Sequence, residues 1–174
     1  LNLNPGNYDM LIARMEPENN IEVILDGIVK SDSKRQFLVI GNATNKFGKK
    51  LQKKFKAFKN IKFLGPNYNM ASLNYLRAHS NLYFHGHSVG GTNPSLLEAM
   101  ASKACICAHD NQFNRSILEE DAFYFRTSQD ITQLIDSKAE GNANSMREKN
   151  REKVIKQYSW EKINTAYENY LLAC

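Results

Sequence analysis

The chain has 174 residues, of which 42% are hydrophobic and 24% are charged, and its formal net charge is +5. This composition is typical of a globular protein, and the length suits one domain with a buried core. No apolar run approaches the roughly 20 residues that a membrane-spanning helix needs, and no basic and apolar leader is apparent. The three cysteines have no metal-type spacing, which favours a reducing, cytoplasmic environment over a disulfide framework.

Short apolar segments alternate along the chain with longer amphipathic segments. The predicted strands are 8–13, 37–40, 61–64, 82–84, 105–108 and 122–125. The predicted helices are 18–30, 46–59, 71–79, 94–103, 112–119, 131–137, 145–157 and 160–172. This alternation predicts an α/β, Rossmann-like three-layer sandwich in which helices cover both faces of a parallel sheet of about six strands. The helices in 145–174 follow a predicted joint at 141–145 and should pack back on the rest of the chain.

Lysines crowd the predicted helix 46–59. Phe47, Leu51, Phe55 and Phe58 recur there at intervals of four, four and three, which predicts one apolar stripe along the helix. The lysines are Lys46, Lys49, Lys50, Lys53, Lys54, Lys56 and Lys59. They indicate either a solvated face above a core-packed stripe or a surface attracted to an anionic membrane. Nucleic acid is not expected as a partner, because no arginine-rich cluster with interleaved aromatic residues is present.

Polar residues follow the first three predicted strands. Ligands of a parallel sheet bind beyond the carboxyl ends of its strands, so these loops are candidate site segments. Arg14 follows the first strand and could hold a phosphate with its fixed fork of donors. A surface pair with Glu16 or Glu18 is the alternative. Residues 41–44 and 65–68 follow the second and third strands.

The loop from His85 to Pro94 is the most informative segment of the chain. Gly90 and Gly91 allow the backbone to approach a ligand closely. Asn93 is a good N-cap and Pro94 suits the first helical position, so a helix is expected to begin there. The N–H groups and the positive end of the helix dipole would favour a phosphate.

Glu98 is the only charge in the helix after this loop, and its neighbours are apolar. A carboxylate in such a helix costs free energy unless it has a partner, although a solvated position is the alternative. A phosphate site beside a carboxylate that binds polyol hydroxyls is the geometry of a nucleotide site. His85 and His87 lack a third ligand, so no metal site is predicted, and one of them should line a polar pocket.

Other nucleotide and catalytic motifs are missing from the sequence. No G-x-G-x-x-G motif follows the first predicted strand, and no P-loop is present. The serines near histidines lack the flanking pattern of a nucleophilic triad. These observations leave dinucleotide, ATP and nucleophile-dependent chemistry without a supporting motif.

The segment GGTNPSLLEAMA, residues 90–101, resembles the signature of retaining glycosyltransferases of the GT-B fold, glycosyltransferase family 4. The likeness is greatest to bacterial, rhamnosyltransferase-like enzymes that build surface polysaccharides. It covers nearly the whole chain and corresponds to the C-terminal, nucleotide-sugar-binding half. The resemblance therefore implies that residues 1–174 form one domain, and that the N-terminal domain that binds the acceptor is not part of this chain.

The resemblance also implies roles for individual residues. Glu98 would bind the ribose hydroxyls and Arg14 would contact the donor diphosphate, and these two residues are the catalytic assignments. The remaining donor-binding assignments are Gly90, Gly91, Thr92 and Asn93 for the phosphate and sugar, Pro66, Asn67 and Tyr68 for the base, and His85. No metal or other cofactor is expected, because the nucleotide-diphospho-sugar is itself the substrate.

Two positions depart from the family pattern. Gly90 stands where a first glutamate is usual, which changes how the hydroxyls of the donor sugar are bound. Asn19 stands where a lysine is common, which removes a phosphate counter-charge that Lys103 or the other half of the enzyme could replace.

The sequence thus predicts the donor-binding half of an enzyme that transfers a hexosyl residue, such as rhamnosyl, to a polysaccharide or lipid-linked acceptor. This half would be inactive alone and would lie in the cytoplasm, at the inner face of the membrane if the basic helix contacts lipid. Two alternatives remain: a non-catalytic Rossmann-type module that binds a nucleotide or phosphate, and half of a sugar-nucleotide epimerase.

Overall fold

A six-stranded parallel sheet forms the centre of the protein, in a computed structural model that describes residues 3–137 and 142–172. The strands are β1 (Tyr8–Ile12), β2 (Gln36–Ile40), β3 (Ile61–Gly65), β4 (Tyr83–His85), β5 (Ile106–His109) and β6 (Phe123–Phe125). Their order across the sheet is β3-β2-β1-β4-β5-β6. Met10 of β1 pairs with Leu38 on one side and with Tyr83 on the other. The order of the strands therefore reverses between β1 and β4, where such sheets open a crevice for ligands.

Eight helices connect and cover the strands in the described part of the chain. They are α1 (Ile21–Lys30), α2 (Lys46–Lys54), α3 (Met70–His79), α4 (Pro94–Ala101), α5 (Gln112–Leu118), α6 (Ser128–Asp136), α7 (Ala143–Gln157) and α8 (Trp160–Leu172). Buried side chains of α1, α2 and α6 form one core cluster with the sheet. Those of α3, α4 and α5 form the other, against which α7 packs. The predicted three-layer α/β sandwich is confirmed.

Side-chain caps fix the beginnings of five of the helices that leave the carboxyl ends of the strands. An asparagine side chain accepts a hydrogen bond from a backbone N–H in the first turn of four helices. The four caps are Asn45 for α2, Asn69 for α3, Asn93 for α4 and Asn111 for α5. Thr127 and Asp130 form a reciprocal capping box at α6. The chain therefore turns from strand to helix at defined residues along the edge where a ligand would bind.

All six predicted strands and eight predicted helices are present, and three helices differ by three or more residues at one end. The helix predicted at 131–137 begins earlier, at Ser128, where Thr127 and Asp130 cap it. The predicted helix 18–30 is divided by Asn20, whose φ of +50° separates a 3₁₀ turn (Pro17–Asn19) from α1. Asparagine tolerates this left-handed conformation better than most residues. The predicted helix 46–59 ends at Lys54, and Phe55 is buried beyond it while Phe58 is 39% exposed. The prediction of a four-residue apolar stripe along one helix is therefore wrong at Phe58, because the chain turns there to enter β3.

The two C-terminal helices behave differently from each other. α7 packs back on α4, as expected. Its Asn150 is buried and donates to the Asp121 carbonyl at 2.6 Å. α8 has no buried residue, so the expectation that it packs back is wrong. Its large apolar side chains are exposed at helical spacing: Trp160, Tyr167, Tyr170 and Leu171. In the predicted joint 141–145, Gly141 lies outside the described residues, and residues 143–145 belong to α7. Cys174 also lies outside the described residues.

Part of the lysine face of α2 is neutralised by α1. Lys50 Nζ lies 2.8 Å from Glu22 Oε2, and Lys54 bridges Glu22 at 3.0 Å and Asp26 at 2.7 Å. Lys46, Lys49 and Lys53 are exposed and form no ion pair within the described ranges. Within residues 3–137 and 142–172, no helix combines the length and the hydropathy that crossing a bilayer requires.

Candidate functional site

A cavity of about 450 Å³ opens at the carboxyl edge of the sheet, beside the point where strand order reverses. Its walls come from the loops after β1, β2 and β3, from the loop after β4 and from the start of α4. Arg14, Pro66, Asn67, Tyr68, His87 and Ser95 are among the residues that line it. Two other cavities, of about 380 and 590 Å³, lie at the amino edge around Arg35. Ligands of parallel sheets bind at the carboxyl edge, so the first cavity is the candidate site.

Arg14 lies at the mouth of this cavity with an exposed side chain. Its backbone is fixed, because the Arg14 carbonyl accepts hydrogen bonds from the Asn19 amide (2.7 Å) and from the Glu16 N–H (2.8 Å). Within the described chain Arg14 forms no ion pair, so the alternative surface pair with Glu16 or Glu18 is not made. Asn19, buried to 3% exposure, thus holds the arginine in place and is not itself a phosphate contact.

The first half of the loop between β4 and α4, residues 86–88, is held by two neighbouring segments, 18–20 and 111–114. Gly86 packs so closely on the Asn19 carbonyl that an added Cβ would lie 2.0 Å from the oxygen, so only glycine fits there. Asn20 Nδ2 donates to the Gly86 carbonyl at 2.8 Å, and Ser88 N donates to the Glu18 carbonyl at 3.0 Å. On the other side, the His87 carbonyl accepts from Asn111 Nδ2 at 2.9 Å and from Asn114 Nδ2 at 3.1 Å.

The second half of the loop, residues 89–92, is open. Gly90 has a φ of +96°, and a Cβ added at Gly90 or Gly91 would meet no atom within 4 Å. Gly90, Gly91 and Thr92 are exposed, and no backbone hydrogen bond ties their N–H groups to the rest of the described residues. These groups can therefore meet a ligand without first breaking a contact in the protein.

The backbone N–H groups in the first turn of α4 are already hydrogen-bonded, so this helix N-terminus would act on an anion mainly through its dipole. The Asn93 side chain accepts from Ser95 N at 2.9 Å, and the Asn93 carbonyl accepts from the N–H groups of Leu96 and Leu97. Pro94 has no N–H, so the first-turn donors that the sequence suggested for a phosphate are already occupied. An anion at this end would be bound by loop N–H groups of the preceding residues, with the helix dipole in support.

His85 and His87 stack, with ring centroids 4.5 Å apart, but only His87 reaches the cavity. His85 is 1% exposed, and burial lowers its pKa to about 3, so its ring is neutral. The pKa of His87 is lowered by burial and then by the positive charge of Arg14. His85 therefore supports the site from beneath and His87 lines it. No group of three His, Cys, Asp or Glu side chains within residues 3–137 and 142–172 could hold a metal ion.

Glu98 has a partner that the sequence reasoning missed. Its Oε2 lies 2.6 Å from Nη2 of Arg77, an arginine of α3 that is 1% exposed, whereas the Glu98 side chain is 38% exposed. Glu98 stands three residues after Ser95, on the same side of α4 and one turn below the cavity wall. The expectation that this carboxylate needs a partner is confirmed. Only a tertiary contact between α3 and α4 identifies which residue it is.

A second polar link joins this ion pair to the cavity wall. The Tyr83 hydroxyl lies 3.0 Å from Ser95 Oγ, and the guanidinium of Arg77 lies 5.9 Å from the centre of the Tyr83 ring. Burial raises the pKa of Tyr83, which keeps its hydroxyl protonated. Arg77, Glu98, Tyr83 and Ser95 therefore form a connected group beneath the start of α4.

Of the remaining predicted residues, those after β3 line the cavity and Lys103 does not. Pro66, Asn67 and Tyr68 line the cavity from the loop after β3, and the Tyr68 side chain is 86% exposed. Lys103 lies beyond the opposite end of α4, where its Nζ contacts Glu148 of α7 at 2.6 Å. It cannot supply the phosphate counter-charge for which it was considered.

Comparison with known proteins identifies a family and a common fold. A family model described as "Glycosyl transferases group 1" matches residues 6–158. No curated protein sequence matches the chain. Among solved structures, HepE of Anabaena in complex with UDP-glucose is similar to 97% of this chain, with a TM-score of 0.83 and 15% identity. The chain covers 49% of HepE, so it spans about half the length of that protein.

Two further structures extend the comparison. TarM has a TM-score of 0.75 and 22% identity, with 95% of this chain and 35% of TarM covered. The C-terminal domain of LpcC, a glycosyl transferase group 1 protein of Francisella tularensis, has a TM-score of 0.70 and 21% identity. That comparison covers 90% of this chain and 88% of the LpcC domain, which was crystallised alone. At these identities, the likenesses establish a common GT-B-like fold.

Proposed function

The chain belongs to the glycosyl transferases group 1 family, and from this membership we propose that it is the nucleotide-sugar donor-binding half of a retaining transferase of glycosyltransferase family 4. The observation that carries the proposal is the cavity at the reversal point of the sheet, lined by Arg14, His87 and residues 66–68. HepE was crystallised with UDP-glucose, which supports a nucleotide sugar as ligand for this fold. The family match indicates a transferase, which disfavours the epimerase alternative.

In the proposed complex, the donor crosses the open half of the β4–α4 loop. Arg14 and the N–H groups of residues 90–93 would bind the diphosphate, and Pro66, Asn67 and Tyr68 would hold the base. Glu98 would accept hydrogen bonds from the pentose hydroxyls. His87 would complete the wall beside the diphosphate, with His85 as its support. No metal is required by this scheme, because the guanidinium and the α4 dipole oppose the diphosphate charge.

The proposed reaction transfers a hexosyl group, such as rhamnosyl, to a polysaccharide or lipid-linked acceptor. The bond between the anomeric carbon and the diphosphate oxygen breaks, and the acceptor oxygen bonds to the same face of that carbon. The acceptor proton passes to the leaving phosphate, so charge and atoms balance and no general base from this chain is needed. Preorganised positive charge around the leaving group stabilises the transition state.

Calorimetric titration of the chain with UDP, GDP and dTDP, and with the three parent nucleosides, tests donor binding. We expect at least one diphosphate to bind about tenfold or more tightly than its nucleoside, because a charged hydrogen bond is worth roughly 1.5–3 kcal/mol. Arg151→Ala, which removes an exposed arginine on α7, is a control that should leave the affinity unchanged. Equal binding of inorganic pyrophosphate would favour a phosphate-binding module instead, and a chain indifferent to every ligand would refute the proposal.

Transfer itself should require the N-terminal half that binds the acceptor. Bringing two substrates together can lower a barrier by roughly 7–11 kcal/mol, and the chain alone can position only one of them. We expect no sugar transfer by the chain alone and transfer by the full-length enzyme, measured by release of nucleoside diphosphate in the presence of acceptor. Transfer at comparable rates by the chain alone would contradict this part of the proposal.

The unpaired lysines of α2 are proposed to contact an anionic membrane surface, where a lipid-linked acceptor would be found. Lys46, Lys49 and Lys53 carry three charges that α1 does not neutralise. Each basic residue near such a surface contributes about 1 kcal/mol and is screened by salt. Sedimentation with phosphatidylglycerol vesicles should show binding at low salt that a triple Lys→Glu variant loses. Equal binding to neutral vesicles would exclude an electrostatic contact.

A further inference from the structure

Arg77 is a buried cation held by two hydrogen bonds and an aromatic ring. Its side chain is 1% exposed, its Nη1 donates to Asn74 Oδ1 at 2.9 Å, and its Nη2 donates to Glu98 Oε2 at 2.6 Å. The Tyr83 ring lies against the guanidinium, with 5.9 Å between the guanidinium carbon and the ring centroid. Three neighbours therefore fix the guanidinium, and Glu98 is the only carboxylate paired with it among the described residues.

The two oxygens of Glu98 consequently differ. Oε2 is held by Arg77, while Oε1 makes no hydrogen bond with the described residues. The side chain is 38% exposed, so Oε1 can reach a ligand from the solvent side. An ionised carboxylate oxygen is an acceptor only, so the group it suits is a hydroxyl or another donor.

Fold stability does not explain an arginine at this position. Taking a guanidinium out of water is costly, and a buried ion pair can often be replaced by apolar residues without loss of stability. Arg77 also leaves its Nε–H buried without a partner in the described structure, which adds to the cost. A buried charge retained at such a cost suits a role in orienting Glu98.

We propose that Arg77 is a positioning residue for recognition of the nucleotide: it holds Oε2 of Glu98, so that Oε1 is presented to the pentose hydroxyls of the donor. The inference rests on the proposed function of this site and adds to it the residue that sets the carboxylate. Without Arg77, the half-exposed Glu98 side chain would sample several rotamers, and binding would have to restrict them.

The test compares two probes, UDP and 2′,3′-dideoxy-UDP, which differ only in the pentose hydroxyls. For the unmodified chain we expect UDP to bind about 10- to 100-fold more tightly, the effect of a hydrogen bond to a charged group. In Arg77→Met this ratio should fall to within about threefold, while the affinity for dideoxy-UDP stays the same. Arg77→Lys keeps the charge and should give an intermediate ratio.

Arg35→Met is the matched control. It removes another arginine from an ion pair, the one with Asp9 in β1, and changes nothing near the cavity at the carboxyl edge. A loss of stability alone would appear in this variant as well, but the ratio of the two affinities should remain that of the unmodified chain. Thermal unfolding of each variant accompanies the titrations, and if Arg77→Met does not fold, the Arg77→Lys ratio decides.

The outcomes separate this inference from the proposed function. An unchanged ratio in the Arg77 variants, or an equal loss of both ligands, would overturn the positioning role. If the unmodified chain binds UDP and dideoxy-UDP equally, the hydroxyl contact is wrong, although diphosphate binding stands. If the unmodified chain binds neither these probes nor GDP or dTDP, the proposed function and this inference are both overturned.

Discussion

Two arginine–carboxylate pairs in this protein are built in opposite ways. In the Arg77–Glu98 pair the cation is buried and the carboxylate is 38% exposed, whereas in the Arg35–Asp9 pair the carboxylate is 3% exposed and the arginine 26%. Both oxygens of Asp9 are occupied, Oδ1 by the Asn81 amide and the Leu82 N–H and Oδ2 by Arg35. Glu98 keeps one oxygen uncommitted. The first pair can therefore serve a ligand, while the second can serve only the fold.

Replacing Glu98 by leucine should have the largest effect on stability. It leaves Arg77 buried without a charge partner, and breaking a buried pair from one side costs about 3–5 kcal/mol. The double variant Glu98→Leu, Arg77→Met leaves no isolated charge and should recover most of this loss. Urea unfolding of the single and the double variant measures it, and a double variant no more stable than the single one would contradict the description of this pair.

Arg35→Met should destabilise the protein less, by about 1–3 kcal/mol, because Asp9 keeps its hydrogen bonds from Asn81 and Leu82. Burial raises the pKa of Asp9, and loss of Arg35 would raise it further. The deficit relative to the unmodified chain should therefore be largest above both folded pKa values and should shrink as pH falls through them. Unfolding free energies measured from pH 8 to pH 4 test this, and a deficit that widens in acid would show that the sign is wrong.

Arg14→Ala should affect binding and leave stability within about 0.5 kcal/mol, since the side chain is exposed and unpaired in the described structure. We expect UDP affinity to fall about 10- to 100-fold, with uridine affinity unchanged because uridine has no phosphate. Titration with both ligands measures the difference. An equal loss of uridine binding would place Arg14 at the base instead of the diphosphate.

His87→Gln should give the smallest effect, a change in pH dependence. The lowered pKa of His87 in the free protein should rise when a diphosphate offsets the charge of Arg14. The complex would then take up a proton as pH falls, so UDP affinity should increase by less than about tenfold relative to the variant. Subtracting the profile of the variant removes the ionisation of UDP itself. Identical profiles would mean that His87 does not sense the ligand.

The sheet could be predicted from the sequence because its signals are local. Six apolar segments separated by amphipathic ones are enough to define a parallel α/β sheet, and all six strands lie within two residues of the predicted bounds. Asn93 and Pro94 placed the start of α4 for the same reason. These features depend on neighbouring residues alone, so a single sequence is sufficient to predict them.

What could not be predicted depends on distance in space. Arg77 and Glu98 are 21 residues apart, and nothing in either helix indicates that α3 turns its arginine toward α4. The choice between His85 and His87 also required the structure, because both follow the predicted strand 82–84, whereas β4 extends to His85 and buries it. The end of α2 was misplaced because Phe55 and Phe58 fit a helical period that the turn into β3 overrides.

The tryptophan at the start of α8 is an intrinsic fluorescent reporter of contacts made by this helix. Trp160 is the only tryptophan in the chain and is 79% exposed, at a distance in sequence from every residue of the cavity. Its fluorescence should therefore be insensitive to nucleotide, yet it should shift to shorter wavelength whenever another protein surface covers this helix. Tryptophan fluorescence can thus detect the binding of another protein to α8, while calorimetry measures nucleotide binding, and neither measurement needs a label.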